Sequence, residues 1–446
     1  MTRDPARPYR THPPAAPVPL AARPARRLVL RGGRVVDPAT GRDGVADVAM
    51  VAGRVAAVAS DIPLERDDRV VDAEGLLVLP GLVDLHCHLH DLFDVSTRPI
   101  EEAVVHGTVL ALSPGAGNTF MAPALLGAEV DRGLPLHVGC YLGIPAVLGT
   151  RARVGDLVAY FRGELPADAQ SALITRNPLT NALGRLAVGL KDHMGHAILT
   201  DEALEAAFTV AAGAGLVLMS HCQDPEHAER VVAVASGRPV LLTHATAAGG
   251  GTHGEARESL ARVLALAARP GVALDFTTAH LRAGGGLRDG LLIDEGARRV
   301  ALEALARGEV AILTSDGPCN ATMKGFGDSS ANIPCLLDLV AEGVLSLPQA
   351  VATMTANPAA LLARLTGQTW WVEELGHLGV GARANAVLVH PRERHAVMTV
   401  VEGTVAAFEG RVVRSAAGVG GWAARTGLLP RLGVGDLPIF RRMPVQ

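Results

Sequence analysis

Gly81-Leu82-Val83-Asp84-Leu85-His86-Cys87-His88 is the stretch on which the reading of the fold turns. Its residues alternate, and a period of two puts His86 and His88 on one side of a strand. Four further side chains end similar apolar runs: Lys191 after 186–190, His221 after 215–220, His244 after 240–243 and Asp316 after 310–315. Polar groups at the C-terminal ends of successive buried strands converge on one mouth in a TIM barrel. Imidazoles with a carboxylate at such a mouth suit a hydrolytic metal site.

The spacing predicts one barrel. Lys191 to His221 is 30 residues, about one strand–helix unit, and His221 to His244 is 23. His244 to Asp316 is 72, room for two units, with the seventh strand ending near 277–280. Residues 108–113 and 136–141 supply the second and third strands, which completes eight. Helical patterns lie between them. Thr200 caps one helix, Asp201 and Glu202 suit its positive end, and Leu204, Phe208 and Ala211 line its inner face. Residues 294–308 and 346–365 read as further helices.

Outside the barrel the language is that of β-hairpins. Short alternating runs with glycine turns occupy 28–37, 45–51, 54–58, 70–72 and 76–79, and return at 386–390 and 400–413. The expected fold is α/β. It has a flexible extension over 1–27, a small β-sandwich domain from 28–78 and 376–415, a (β/α)8 TIM barrel over 79–366, and a weakly patterned tail over 416–446.

Composition sets outer limits. The chain has 446 residues, enough for a sizeable core. It is 49% hydrophobic, yet no run reaches about 18 uninterrupted apolar residues, so no membrane span is expected. A net charge of −4 with scattered arginines gives no reason to expect nucleic-acid binding. Residues 1–27 lack the apolar core of a secretory signal. The five cysteines, Cys87, Cys140, Cys222, Cys319 and Cys335, are odd in number and include no C-x-x-C pair, which argues for buried fillers in a reducing, cytoplasmic setting.

The motifs together carry a resemblance. Residues 78–88, Val-Leu-Pro-Gly-Leu-Val-Asp-Leu-His-Cys-His, resemble the approach to the first barrel strand of the amidohydrolase superfamily, in its dihydroorotase/hydantoinase-like branch. Ala356-Asn357-Pro358-Ala359 is similar to a late helix motif of that family, and 376–386 to the return into its small domain. The resemblance implies that His86, His88 and Asp316 hold one metal, and that His221 and His244 hold a second, more exposed one. It implies two zinc ions per chain, bridged by an N-carboxylated Lys191. A lysine ammonium cannot bind a cation, whereas its carbamate is an anionic oxygen donor. The implied reaction is cleavage of a C–N bond in a cyclic amide, imide or ureide by a metal-bridging hydroxide, with Asp316 as proton shuttle. It also implies a homo-oligomer acting on a small molecule.

Each of these residues has a plainer reading alone. Lys191 reads as a surface lysine in Lys191-Asp192-His193, and Asp316 as the start of a turn in Ser315-Asp316-Gly317-Pro318. It is the set, at strand–helix spacing, that points to a metal centre. A mononuclear relative would use the same histidines and aspartate without a carbamate.

Substrate contacts are less sharply marked. Dihydroorotase relatives usually place an arginine two residues after the His-x-His, and here that position is His90. Arg282 is a substitute grip on a carboxylate, or a solvated loop arginine. Asn118 reads as an amide or carboxylate contact, or as a turn residue; His280 as a substrate contact, or as a partner for backbone. His193 and His196 follow Lys191 toward the mouth, and the loop 316–328 reads as a cover or as a plain turn. Two rival functions stay open. One is an N-acyl amino-acid deacylase, dipeptidase or deaminase of the same superfamily; the other is a non-catalytic scaffold of the dihydropyrimidinase-related kind.

Overall fold

The structure is a computed structural model and describes residues 26–89, 100–115, 117–195, 197–284, 293–317, 326–413 and 418–434. Parallel strands alternate with helices around a barrel. The strands are Leu82–Asp84, Thr108–Ser113, His137–Gly143, Gly189–Asp192, Val217–His221, Val240–Thr243, a two-piece seventh strand (Val272–Leu274 and Phe276–Thr277) and Leu313–Thr314. The first six strands and the first piece of the seventh pair in sequence, and the second piece of the seventh pairs with the eighth. A parallel bridge between Cys87 and Gly317 closes the ring.

The side-chain pattern follows from this geometry. Val217 and Met219 point inward with Val83, Leu110, Tyr141 and Leu241, whereas Leu218 and Leu242 pack under the helices. The period of two therefore carries His221 to the inward face at its strand's end. Leu361, Leu362 and Trp371 plug the opposite end of the same interior.

Helix starts follow the capping residues. Thr200 Oγ1 accepts from Ala203 N at 3.2 Å and starts Asp201–Ala214. Asp294 Oδ1 accepts from Ala297 N at 3.0 Å and starts Glu295–Ala306. The expected single helix over 346–365 is instead two, Leu347–Ala352 and Ala356–Thr366. Thr355 leaves the helical region, at φ −129 and ψ −88. The break frees the Thr353 and Met354 carbonyls, which accept from Leu313 N at 3.1 Å and Val83 N at 2.7 Å. Tertiary demand for buried backbone partners overrides helix propensity here.

The two flanking segments join in one nine-stranded sheet. Leu77–Pro80 pairs antiparallel with Ala386–His390 and stitches them together. Leu30, Val48, Val78, Leu388 and Val400 share its core. Arg383 joins this sheet to the barrel: its guanidinium binds Glu374 and Glu402, and Glu402 lies 3.2 Å from His137 Nε2 on the third barrel strand. Asn385 Oδ1 accepts from Glu402 N at 2.9 Å and is a structural residue.

Residues 418–434 carry more order than their weak pattern suggests. Trp422–Ala424 and Gly427–Leu429 form a hairpin whose Trp422 registers with Val138 of the third barrel strand. Trp422 is fully buried, and its indole N–H donates to Leu186 O at 3.1 Å. Among the described residues no helix is long and apolar enough to cross a membrane. Removing a buried indole leaves a cavity and an unpaired carbonyl, so Trp422→Ala should destabilise the chain by about 3–5 kcal/mol. Urea unfolding measures it; a loss under about 1 kcal/mol would show the hairpin to be peripheral.

Candidate metal centre

Six of the side chains singled out above gather at the C-terminal mouth of the barrel, and all six are buried. His86 Nε2 lies 2.9 Å and His88 Nε2 3.1 Å from the same atom, Asp316 Oδ1. The ligand-type atoms of these three residues all lie within 4.8 Å of one another. His244 stands next to them, its ring centroid 5.2 Å from that of His86 and 4.3 Å from that of His221. Lys191 lies next to the end of the fourth strand, 1% exposed, and is linked electrostatically to Asp316.

The backbone presents these groups in a particular way. His244 and Asp316 both adopt positive φ, 45 and 50, which is uncommon for residues other than glycine. Each has just left its strand, and the left-handed turn redirects the chain at the barrel mouth. Buried carboxylates hold the neighbouring backbone. Asp275 Oδ1 accepts from His244 N at 2.8 Å, and Asp84 Oδ1 accepts from His86 N and Ser315 N, both at 3.2 Å. Asp316 Oδ2 accepts from Phe326 N at 2.8 Å.

Burial decides the charge state. It pushes the His86 imidazole down to about 4, against the pull of Asp316. Burial, helped by the Lys191 charge, also holds His221 well below the usual imidazole range. Burial and then His221 do the same to His244. Burial lowers the Lys191 ammonium to about 8, with Asp192 and Asp316 opposing. For Asp316 burial alone would raise the carboxyl; the adjacent His86 and the hydrogen bonds with His86 and His88 outweigh it and hold the group ionised. Asp84 and Asp275 are raised by burial, to about 7 and about 6. The centre is thus a set of neutral imidazoles around an anionic carboxylate.

These donors fit a cation. The Nδ1 atoms of His221 and His244 and Nζ of Lys191 are buried with no hydrogen-bond partner. Buried polar atoms are normally satisfied, and neutral imidazoles with a carboxylate are a set that zinc takes.

A cavity of about 380 Å³ opens above the centre. His86, His88, His221, His244 and Asp316 reach it, together with His193, Gln223, Thr252, His253 and Phe326. Gln223 spans two of them, with Oε1 3.4 Å from His221 Nε2 and Nε2 donating to Thr252 Oγ1 at 3.3 Å. Three expected contacts lie elsewhere. Arg282 Nε donates to Asp338 Oδ2 at 2.9 Å, an ion pair on the outer helices. Asn118 is buried and donates to Tyr141 O at 3.1 Å. His280 is buried with Nδ1 3.0 Å from Thr246 Oγ1, though its ring packs 5.7 Å from that of Phe326. His90, His196, Cys319 and loop residues 318–325 lie outside the described residues. Gln223, Thr252, His253, Phe326, Thr243 and Asp275 were not found by pattern; Gln223 and Thr243 offered only their place beside His221 and His244.

Imidazoles and a carboxylate converging on the mouth of a (β/α)8 barrel define a metal-hydrolase type of site. Residues 77–413 match the amidohydrolase family model, and the chain belongs to that family. It is 25% identical to the dihydroorotase of Geobacter sulfurreducens over 395 residues, 75% of this chain and 85% of that protein. A match to the dihydroorotase of Geobacter metallireducens spans only 43% of that relative. Among solved structures, the dihydropyrimidinase of Brevibacillus agri has the same fold, with a TM-score of 0.65 at 17% identity over 90% of this chain and 99% of that one. The L-hydantoinase of Arthrobacter aurescens gives 0.62 at 18%, over 89% and 99%.

The charge states predict an acid-labile apo-protein. His86, His221 and His244 have folded-state pKa values below the unfolded 6.5, so below pH 6.5 the unfolded chain binds protons that the folded site refuses. The imidazoles' contribution to the stability of metal-free protein should be full above pH 6.5 and fall as pH drops toward about 4, with Asp84 and Asp275, which take up protons in the folded chain below about 7 and 6, offsetting part of the loss. Urea midpoints at pH 7.5, 6 and 5 read this directly, and a flat profile would contradict it.

Proposed function

We propose that this chain is a zinc-dependent hydrolase that opens a cyclic amide, imide or ureide at its C–N bond. The observation that carries this reading is the convergence of His86, His88 and Asp316 within one ligand sphere, with His221, His244 and the unpartnered Lys191 beside it. His86, His88 and Asp316 would hold one ion. His221 and His244 would hold a second, with Lys191 between the two as its carbamate. A buried lysine lowered to about 8 is partly neutral near pH 7.5, and a neutral amine is the form that adds carbon dioxide. When bound, such ions polarise a carbonyl and make water acidic.

The chain's own residues supply the rest. Burial keeps the imidazoles deprotonated, so their lone pairs are free for a cation. Asp316 stays ionised and takes the proton released by the attacking water. It then hands that proton to the ring nitrogen, so that the nitrogen leaves the carbonyl carbon as a neutral N–H group and stays tethered in the opened chain. Gln223, Thr252 and His253 offer amide, hydroxyl and imidazole groups to the N–H and C=O edges of a ring, and Phe326 covers an apolar face.

The arginine expected to grip a carboxylate, Arg282, is engaged by Asp338. This favours an uncharged ring, of the hydantoin or dihydropyrimidine kind, over dihydroorotate. The dihydroorotase and hydantoinase names of the relatives support the reaction class and leave the ring open.

Metal analysis of tag-free protein should find about two zinc ions per chain, and Lys191→Ala should lose one of them with most of the turnover. Wild-type metal content and rate in that variant would remove the bridging role. In a panel of hydantoin, dihydrouracil, a cyclic imide and dihydroorotate, the neutral rings should be opened faster. Turnover of dihydroorotate alone would reverse the substrate assignment.

A further inference from the structure

Beneath the ligands lies a hydrogen-bonded unit that the reaction as described does not use. Its centre is Thr243, fully buried at the end of the sixth barrel strand. Thr243 Oγ1 sits 2.6 Å from His86 Nδ1, across 157 residues of sequence. Near that hydroxyl lies the buried Asp275 carboxylate. That carboxylate accepts from His244 N and from Thr314 Oγ1, each at 2.8 Å. Two side chains thereby touch two candidate ligands: His86 through its ring, and His244 through its backbone.

The chemistry of an imidazole gives this arrangement a purpose. A neutral imidazole carries one proton, on either nitrogen. His86 Nε2 faces Asp316 Oδ1 at 2.9 Å, inside the ligand sphere. For Nε2 to give its lone pair to a cation, the proton must sit on Nδ1 and be accepted there. Thr243 Oγ1 is placed to accept it. The hydroxyl thus stands where ligand histidines commonly have a carboxylate or carbonyl partner. Asp275 also anchors His244 where φ is 45 and ψ is 47, a conformation that holds only when its surroundings impose it.

We propose that Thr243 and Asp275 are positioning residues for the metal centre: Thr243 selects the Nδ1–H tautomer of His86, and Asp275 fixes the left-handed turn at His244. This rests on the metal-hydrolase reading above. Neither residue touches substrate.

The test uses the full chain, stripped of metal and titrated with zinc against a chelator, and separately loaded with cobalt(II) for its visible absorption. Thr243→Val keeps the shape and removes the hydroxyl; Thr243→Ser keeps the hydroxyl. Thr243→Val should bind zinc about 10–100-fold more weakly and show an altered cobalt spectrum, while Thr243→Ser stays near wild type in both. Asp275→Asn should weaken zinc binding in the same direction and gives a second reading if the valine variant folds poorly. Wild-type zinc affinity and cobalt spectrum in both Thr243→Val and Asp275→Asn would overturn the positioning role alone. A wild-type chain that takes up neither ion would overturn the metal reading together with it.

Discussion

The structure depends on one closure, that of the first barrel strand against the last. His88 N–H donates to Gly317 O at 2.6 Å and Asp316 N–H donates to His86 O at 2.9 Å. Residues 229 and 230 apart in sequence thus share a two-bond backbone contact, and three of them, His86, His88 and Asp316, are the residues whose side chains meet. The precision of the candidate ligand set is inherited from main-chain hydrogen bonds rather than left to long side chains. Gly317 also lets the backbone at Asp328 pack against this contact, because a Cβ there would lie 2.7 Å from Asp328 Cα. Asp84 reinforces it from below by accepting from His86 N and Ser315 N.

A closed ring alone would not make a site, since regular strands would carry their side chains on in alternation. Val217, Met219 and His221 follow that rule, and His221 needs no special backbone. His244 and Asp316 break it, each turning left-handed one or two residues beyond its strand. Such conformations cost of order 1–3 kcal/mol each and persist where neighbours impose them. The neighbours are identifiable: Asp275 at His244, and the closure bond with His86 at Asp316. Of the three described barrel residues other than glycine with positive φ, His244 and Asp316 lie at the rim where chemistry is expected, and Ser236 ends a helix.

This division explains what was legible in the sequence. Barrel strands and ligand candidates could be read because each candidate ends a buried run, and strand alternation is a local property. The small sheet could be read from its hairpin signals. The break at 353–355 could not, because its cause is the need of Val83 and Leu313 for acceptors, which is set by tertiary structure. The hairpin at 422–429 escaped notice because its strands are three residues long and are ordered by packing on the third barrel strand. Arg282 read as a substrate grip because its place after the seventh strand suits one; its partner Asp338 is 56 residues away in sequence. Thr243 and Asp275 carry no motif, because a hydroxyl under one strand and a carboxylate beside it gain meaning only once the barrel is closed.

The electrostatics then follow from burial. Three imidazoles kept neutral, a lysine lowered to about 8 and three buried carboxylates share a small volume beneath the mouth. Removing such groups from water is unfavourable unless they are paired, and Lys191 Nζ, His221 Nδ1 and His244 Nδ1 have no hydrogen-bond partner. A divalent cation offsets this by giving the lone pairs an acceptor and the carboxylate a counter-charge. Because it would bind the folded chain and not the unfolded one, binding and folding are linked. The arrangement that burdens the bare chain therefore makes it discriminating. It resists protons near neutral pH, since its imidazoles titrate low, while keeping those same lone pairs available to a metal.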